Sequence, residues 1–578
     1  MAGDGPANNG TADNGTANGT ADNGAANGTA DNGAANGTAD NGARGLVDAL
    51  RELGVELAFG LPGVHNLPVW EACAAAGIRL VGVRHEQAAA YAADGYARAT
   101  GRLGVAVVTT GPGAANTLGA TGEAMTSGAP VLVIATDIPS TLRRPGVYRG
   151  VLHETRDQAA MFAPVTKAAT TSTAAADLYA DVLRAGREAL RAPSGPVYLG
   201  VPTDLLSAPV TGRTPPAPEP PPAPEPDLGA ALALVERAER PLLWVGGGAV
   251  RAGAGAAVAR LAERLAAPVV TTYHGRGILP PDHPCLAPAV PHVPAIGALW
   301  DEADLVIAIG SDLDGMTTQN WRMPRPPALL AVNVDPADAA KNYEPDHVVV
   351  GDAAATTERL ADAVAQRDGL DVLAVQTRSL RTHVETLVRE EEPQAALLLD
   401  TFDRVLPADA TVLADMCIAG YWVAGFHRVP GPRRLAYPMG WGTLGFAFPA
   451  ALGAAARGRA VAVVGDGGFL FACGELATAA QEGLPVTVVL VDDGGYGMLR
   501  FDQVQAGVPT RGVDLLTPDF VALAGAFGVP AQAVDGFGDA FEAALAKSLA
   551  TDGPSLVAVR AALTPPPSTS PRWYRAAR

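Results

Sequence analysis

From Leu46 onward the chain alternates short apolar runs with Ala-rich stretches of helical period. Of ELAFG, IRLVGV, GVAVVTT, APVLVIAT and GPVYLGVP, all but the first are rich in β-branched residues, and all but the second end in glycine, threonine or proline. Runs of this length with no polar alternation predict strands buried on both faces, and the helical stretches between them predict parallel crossovers. A second series follows in PLLWVGGG, APVVTT, DLVIAIGS and ALLAVNVDP, and a third in TVLAD, VAVVGDGG, VTVVLVDD and PSLVAV. The pattern therefore predicts an α/β protein of three doubly wound parallel-sheet domains. These span residues 44–208, 228–370 and 371–565, the last opening on a charged helical connector.

The segments between and outside the domains read differently. Residues 1–43 repeat NGTADNGAANGTADNGA with almost no side chain able to form a core, so a disordered tail is expected. Residues 209–227 contain TPPAPEPPPAPEP, an extended, semi-rigid spacer. Residues 566–578 are expected to be a frayed tail. The 578 residues carry 42 basic and 60 acidic side chains, a net charge of −18. That balance argues against a nucleic-acid backbone or an anionic membrane as partner. No apolar run reaches membrane-spanning length and no signal-peptide core opens the chain, so a cytoplasmic protein is expected. The four cysteines are scattered without a CxxC pair, which suggests neither a disulfide framework nor a zinc site.

The chemistry is concentrated in VVGDGGFLFACGELATAAQEGLPVTVVLVDDGGYG, residues 463–497. Asp466 and Asp493 follow two strands separated by one crossover helix, which lets them sit side by side at adjoining carboxyl ends. Two oxygen ligands with open positions suit Mg²⁺ or Ca²⁺, often completed by substrate phosphates. Gly467, Gly468, Gly494 and Gly495 let backbone approach a diphosphate. Two ordinary turns are the other reading.

This segment resembles the cofactor signature of the thiamine-diphosphate-dependent 2-oxo acid decarboxylase and acetolactate synthase-like family, in which two asparagines usually stand where this chain has Asp492-Asp493. The resemblance covers nearly all of residues 45–565. It implies thiamine diphosphate and Mg²⁺ as cofactors. Asp466, the Asp493 side chain and the Gly495 carbonyl would bind the metal, and Gly465, Gly467, Gly468 and Tyr496 would contact the cofactor. RHEQAAAYAADGYARATG (84–101) resembles the activating-glutamate segment. Glu86 would hydrogen-bond the aminopyrimidine and favour the imino tautomer that deprotonates the thiazolium; a helix-start glutamate is the plain alternative. GWGTLGFAFPAALGA (440–454) resembles the segment that bends the cofactor, with Leu444 between its rings and the Gly442 carbonyl on its amino group. TTGPGAAN (109–116) resembles a glycine loop lining the site.

The resemblance implies decarboxylation of a 2-oxo acid through an enamine. Protonation of that enamine gives an aldehyde; attack on a second carbonyl makes a carboligase of acetolactate synthase or benzaldehyde lyase type. LPGVHN, LHETRDQ and RGVDLLTPDF are most like 2-ketoarginine (5-guanidino-2-oxopentanoate) decarboxylases, which favours the aldehyde route. His65 and His153 are candidate proton carriers, and Glu154, Asp157 and Asp502 are candidates to face a substrate guanidinium. A non-catalytic homologue that binds cofactor is the third alternative, favoured only by the Asp492-Asp493 pair. VGGGAVRAG (245–253) in the central domain reads as a structural turn, and FAD is not predicted. The resemblance also implies a homodimer or homotetramer, with Glu86 of one subunit reaching a cofactor anchored on another.

Overall fold

The computed structural model describes residues 40–144, 146–218 and 225–566. The expected disordered tail up to residue 39, part of the proline spacer (219–224) and the C-terminal residues 567–578 lie outside the described residues. The first helix opens at Gly42, ahead of the expected boundary, because Asn41 caps it by accepting the Arg44 N–H at 2.9 Å.

Three sheets form, each wholly parallel. The first holds β1 (Leu57–Gly60), β2 (Arg79–Gly82), β3 (Gly104–Val108), β4 (Val131–Asp137), β5 (Ala168–Thr171) and β6 (Val197–Pro202), in the order β2-β1-β3-β4-β6-β5. The central sheet holds β7 (Pro241–Val245), β8 (Val269–Thr271), β9 (Leu305–Ile309), β10 (Ala328–Asn333) and β11 (His347–Val350), ordered β11-β10-β9-β7-β8. The third holds β12 (Thr411–Ala414), β13 (Leu435–Ala436), β14 (Ala460–Gly465), β15 (Val486–Asp492), β16 (Ala531–Asp535) and β17 (Ser555–Arg560), ordered β13-β12-β14-β15-β17-β16. The first and third sheets therefore have one and the same strand order. The interior strands β3, β4, β6, β7 and β9 are buried along their whole length, as sheets covered by helices on both faces require.

The first and third domains share one hydrophobic core, in which Tyr91, Ala92 and Tyr96 pack with Phe446, Ala447 and Ala450. The seam is two crossing helices, Glu86–Thr100 and Ala447–Ala455. Each presents a glycine to the other's backbone. A Cβ on Gly95 would lie 2.0 Å from the Ala450 oxygen, and one on Gly453 would lie 1.8 Å from the Ala92 oxygen. Alanine elsewhere along both helices keeps the axes close.

The connector consists of the helices Leu370–Glu391 and Pro393–Val405. No helix among the described residues is long and apolar enough to cross a membrane. Cys73 and Cys285 are buried, Cys417 and Cys473 half-buried, and all four are free. In the central domain, VGGGAVRAG leads from β7 into a helix of one turn, Gly247–Arg251. Gly246 and Gly248 lie against Gly310 after β9, where a Cβ would come within 2.4 and 2.8 Å of backbone. Close packing of two strand ends accounts for these glycines.

Candidate functional site

β14 and β15 are neighbours in register, Gly465 opposite Val491, so the acids that follow them face one cavity. That cavity is lined by Asp415, Leu444, Asp466, Asp493, Tyr496 and others, all from the third domain. Asp466 opens a one-turn helix, Asp466–Phe469, and is 1 % exposed. Its Oδ1 accepts the Gly467 N–H and its Oδ2 the Gly495 N–H, both at 2.7 Å. Burial nevertheless pushes its carboxyl up to about 6, the two amide donors opposing and Asp493 adding to the rise.

Asp493 differs. Its Oδ1 is buried with no hydrogen-bond partner, and the nearest cation, Arg500 Nη1, is 3.9 Å away. Buried carboxylate oxygens are nearly always satisfied, so this one marks a place for a cation. Among the described residues no three His, Cys, Asp or Glu side chains cluster as a metal cage. Two carboxylates, with the Gly495 backbone lining the same cavity, are oxygen donors of the kind an open Mg²⁺ site uses rather than a closed structural cage. Gly495 sits at φ +151°, and a Cβ there would lie 2.0 Å from the Val513 oxygen, so conformation and space both demand glycine. Tyr496 stands against Gly467, its ring 2.7 Å from where a Cβ would be.

Asp415, at the end of β12, is a member of this site that the sequence reading passed over. It is fully buried, its two oxygens accept the Gly445 N–H at 3.1 and 3.0 Å, and it abuts Gly468. Burial raises its carboxyl to about 7 despite several backbone donors. The signal was present: TVLAD ends in an acid on the strand beside β14. Leu444 lines the cavity next to the Asp415-bound Gly445, and Gly442 adopts φ +73° two residues before it.

In the first domain the structure brings together residues the sequence holds far apart. Glu86 is the first residue of its helix and 8 % exposed; Asn116 donates to its Oε2 at 2.9 Å. Its Oε1 lies 3.3 Å from the position of a Cβ on Gly113. The turn before it is pinned from the third domain: Glu475 Oε1 accepts the N–H groups of Arg84 and His85 at 2.9 and 3.0 Å. Neither Asn116 nor Glu475 was singled out as a functional side chain from sequence.

His65 and His153 meet edge to face, ring centroids 5.5 Å apart. His65 Nδ1 pairs with the Thr110 hydroxyl at 2.7 Å, and Thr110 donates on to Thr136 at 3.0 Å. Burial and then His153 hold the His65 imidazole below its ordinary range, Asp137 opposing. His153 itself is at φ +66° with Nδ1 buried and unpartnered. The loop Thr109–Asn116 backs all three residues. Gly111, at φ +65°, leaves room for the His153 backbone, its Cβ position being 2.6 Å from the His153 oxygen, and Gly113 leaves room for Glu86. Buried Gln158 fixes this loop, accepting from the Gly111 N–H at 2.7 Å and donating to the Thr136 carbonyl and the Tyr198 hydroxyl.

The acids considered for a guanidinium are otherwise engaged. Glu154 accepts the Arg149 and Val151 N–H groups at 3.0 and 2.9 Å, and Asp157 caps a helix through the Ala160 N–H. Asp502 lies half-buried on the helix Gly497–Gln505.

Comparison with known proteins agrees with this geometry. Family profiles match in three places: the N-terminal TPP binding domain of thiamine pyrophosphate enzymes at 40–161, their central domain at 228–360 and their C-terminal TPP binding domain at 415–559. A probable 2-ketoarginine decarboxylase of Pseudomonas aeruginosa is 36% identical over 502 residues, covering 84% of this chain and 88% of its own. An acetolactate synthase large subunit of Parasynechococcus marenigrum is 35% identical over 520 residues, covering 84% and 82%. An X-ray structure from Mycobacterium smegmatis superposes with TM-score 0.74 at 24% identity, over 90% of this chain and 99% of that one, which establishes the shared fold. The paired sheets, the acids at their strand ends and the matched profiles have one common explanation: the chain belongs to the thiamine pyrophosphate enzymes.

Proposed function

We propose that this chain is a Mg²⁺-dependent decarboxylase of a small 2-oxo acid, acting without an oxidant. The observation that carries the reading is the buried, unpartnered Asp493 Oδ1 beside Asp466 at the ends of adjoining strands. When bound, thiamine diphosphate supplies a nucleophilic carbon and the electron sink that carbon dioxide loss needs. This chain's residues do the rest. Asp466, Asp493 and the Gly495 carbonyl hold the cation that anchors the diphosphate, with Gly465, Gly467, Gly468 and Tyr496 around it. Leu444, which lines the cavity, and the Gly442 carbonyl would hold the cofactor's rings. Asn116 locks one oxygen of Glu86, leaving Oε1 to hold a proton against the aminopyrimidine. His65, kept neutral at pH 7 by its surroundings, takes up or returns a proton, and His153 faces it across the same small space.

The cavity at Asp466 is lined only by third-domain residues. That supports a homodimer or homotetramer in which Glu86 serves a cofactor held by another copy. The relative named for 2-ketoarginine makes a 2-oxo acid with a guanidinium the first substrate to try. Carbon dioxide release should be measured over a panel of 2-oxo acids, with products identified. Aldehyde alone supports this reading. A 2-hydroxyketone would instead make the chain a carboligase, the activity named in the second relative. No release from any acid, with cofactor bound, would leave a binding protein.

A further inference from the structure

Arg500 stands one turn into the helix Gly497–Gln505 and turns back over the loop that carries Asp493. Its Nη1 donates to the Asp493 carbonyl at 3.1 Å and its Nη2 to the Gly494 carbonyl at 3.0 Å. Its Nε donates to Asp514 Oδ1 at 2.8 Å. Asp514 belongs to a strap that is itself stitched to the same loop. The Tyr496 N–H donates to the Val513 carbonyl at 2.8 Å, and the Leu515 N–H to the Gly494 carbonyl at 2.9 Å. The guanidinium thus joins helix, loop and strap at one point.

Its charge also falls in a useful place. Two neighbouring carboxylates, Asp466 and Asp493, face a cavity meant for a polyanion, and Asp492 is adjacent. Arg500 Nη1 is 3.9 Å from Asp493 Oδ1. At that distance, and with both groups mostly shielded from solvent, the guanidinium offsets negative charge. It does so without hydrogen-bonding Oδ1, which keeps its lone pairs.

We infer that Arg500 is a positioning residue. It holds the Asp493–Gly495 turn in its ligating shape and offsets the Asp493 charge, so that an acid there is compatible with a bound diphosphate. The inference rests on the thiamine diphosphate reading, and its test separates the two.

Calorimetry with Mg²⁺ and thiamine diphosphate should be run on the full chain and on R500M, R500K and the double variant R500M/D493N. Loss of a charged hydrogen-bonding partner predicts affinity about tenfold weaker in R500M. R500K, a point charge that cannot bridge both carbonyls, should fall between. D493N should restore the part of the loss that comes from uncompensated charge, its amide oxygen remaining in place, so the double variant should bind more tightly than R500M. Amide hydrogen exchange on the cofactor-free protein supplies a second readout: residues 494–497 should exchange about tenfold faster in R500M. Affinity within twofold of wild type together with unchanged exchange overturns the inference. So does weakened affinity that D493N recovers not at all, because the charge of Asp493 would then have no part in the effect of Arg500. Should the wild-type chain bind neither Mg²⁺ nor cofactor, the thiamine diphosphate reading falls, and exchange in R500M still decides whether the clamp exists.

Discussion

Gly453→Ala tests the seam between the first and third domains. The new Cβ would sit 1.8 Å from the Ala92 oxygen, 2.7 Å from its carbonyl carbon and 2.8 Å from the Tyr96 nitrogen. A carbon and a carbonyl oxygen settle no closer than about 3.3 Å, so the two helices must part by roughly 1.5 Å. A gap of that size forfeits a large share of the dispersion contacts along the seam. Overpacking of this kind costs about 1–3 kcal/mol, occasionally more. Against it stands a helix-propensity gain of at most about 1 kcal/mol. The backbone cannot swing aside as a side-chain tip would, so the upper part of the range applies and a net loss of about 2 kcal/mol follows. For cooperative units of domain size that lowers the melting temperature by roughly 4–8 °C. Differential scanning calorimetry of the cofactor-free protein reads it directly. Gly525→Ala is the matched control. Gly525 lies on the exposed face of the helix Phe520–Ala526 with nothing within 4 Å of a new Cβ, so that variant should gain about 0.5–1 kcal/mol. A Gly453→Ala protein that melts at or above wild type would refute the close-approach argument. Turnover should fall more than cofactor affinity, since the displaced helix begins at Glu86 while the cavity lies wholly in the third domain.

Glu86→Gln should keep the fold and cofactor affinity while slowing carbon dioxide release about 10²–10⁴-fold; near-normal turnover would remove Glu86 from its role. Asp466→Ala leaves the Gly467 and Gly495 N–H groups without their acceptor. It should weaken Mg²⁺-dependent cofactor binding by about 100-fold, which calorimetry checks. His292 is buried with Nε2 beside the Met316 carbonyl, and burial lowers its imidazole to about 3. A lowered folded value means its contribution is complete above the unfolded value near 6.5 and is lost as pH falls from there toward 3. Between pH 6.5 and 5 that loss is about 2 kcal/mol. Urea unfolding of His292→Gln should therefore show a pH dependence flatter by that amount; parallel curves would contradict it.

The strands legible in the sequence were those with continuous apolar runs, such as GVAVV, PLLWV and AVAVVG. Those that escaped notice, β5, β11, β13 and β16, all lie at sheet edges. There one flank is free of pairing, and three of the four (AATT, LA, AQAVD) carry no sustained apolar signal, while β11 (HVVV) has one only four residues long. The acids Asp466 and Asp493 were legible because strand ends and crossover length fix their relation. The meeting of His65 with His153 was not, since it depends on the path of a loop with φ +66° at His153. Asn116 and Gln158 were hidden for the same reason: amides that lock a carboxylate or a turn have no spacing rule, only a place in three dimensions.

The helix Glu86–Thr100 is buried along nearly its whole length, against a partner that begins roughly 350 residues later. A ribosome adding about 5–20 residues per second needs roughly 20–70 s to cover that interval. Throughout it the alanine-lined surface emerges without its mate, so nascent chains must carry an adhesive stripe while roughly three-fifths of the protein is being made.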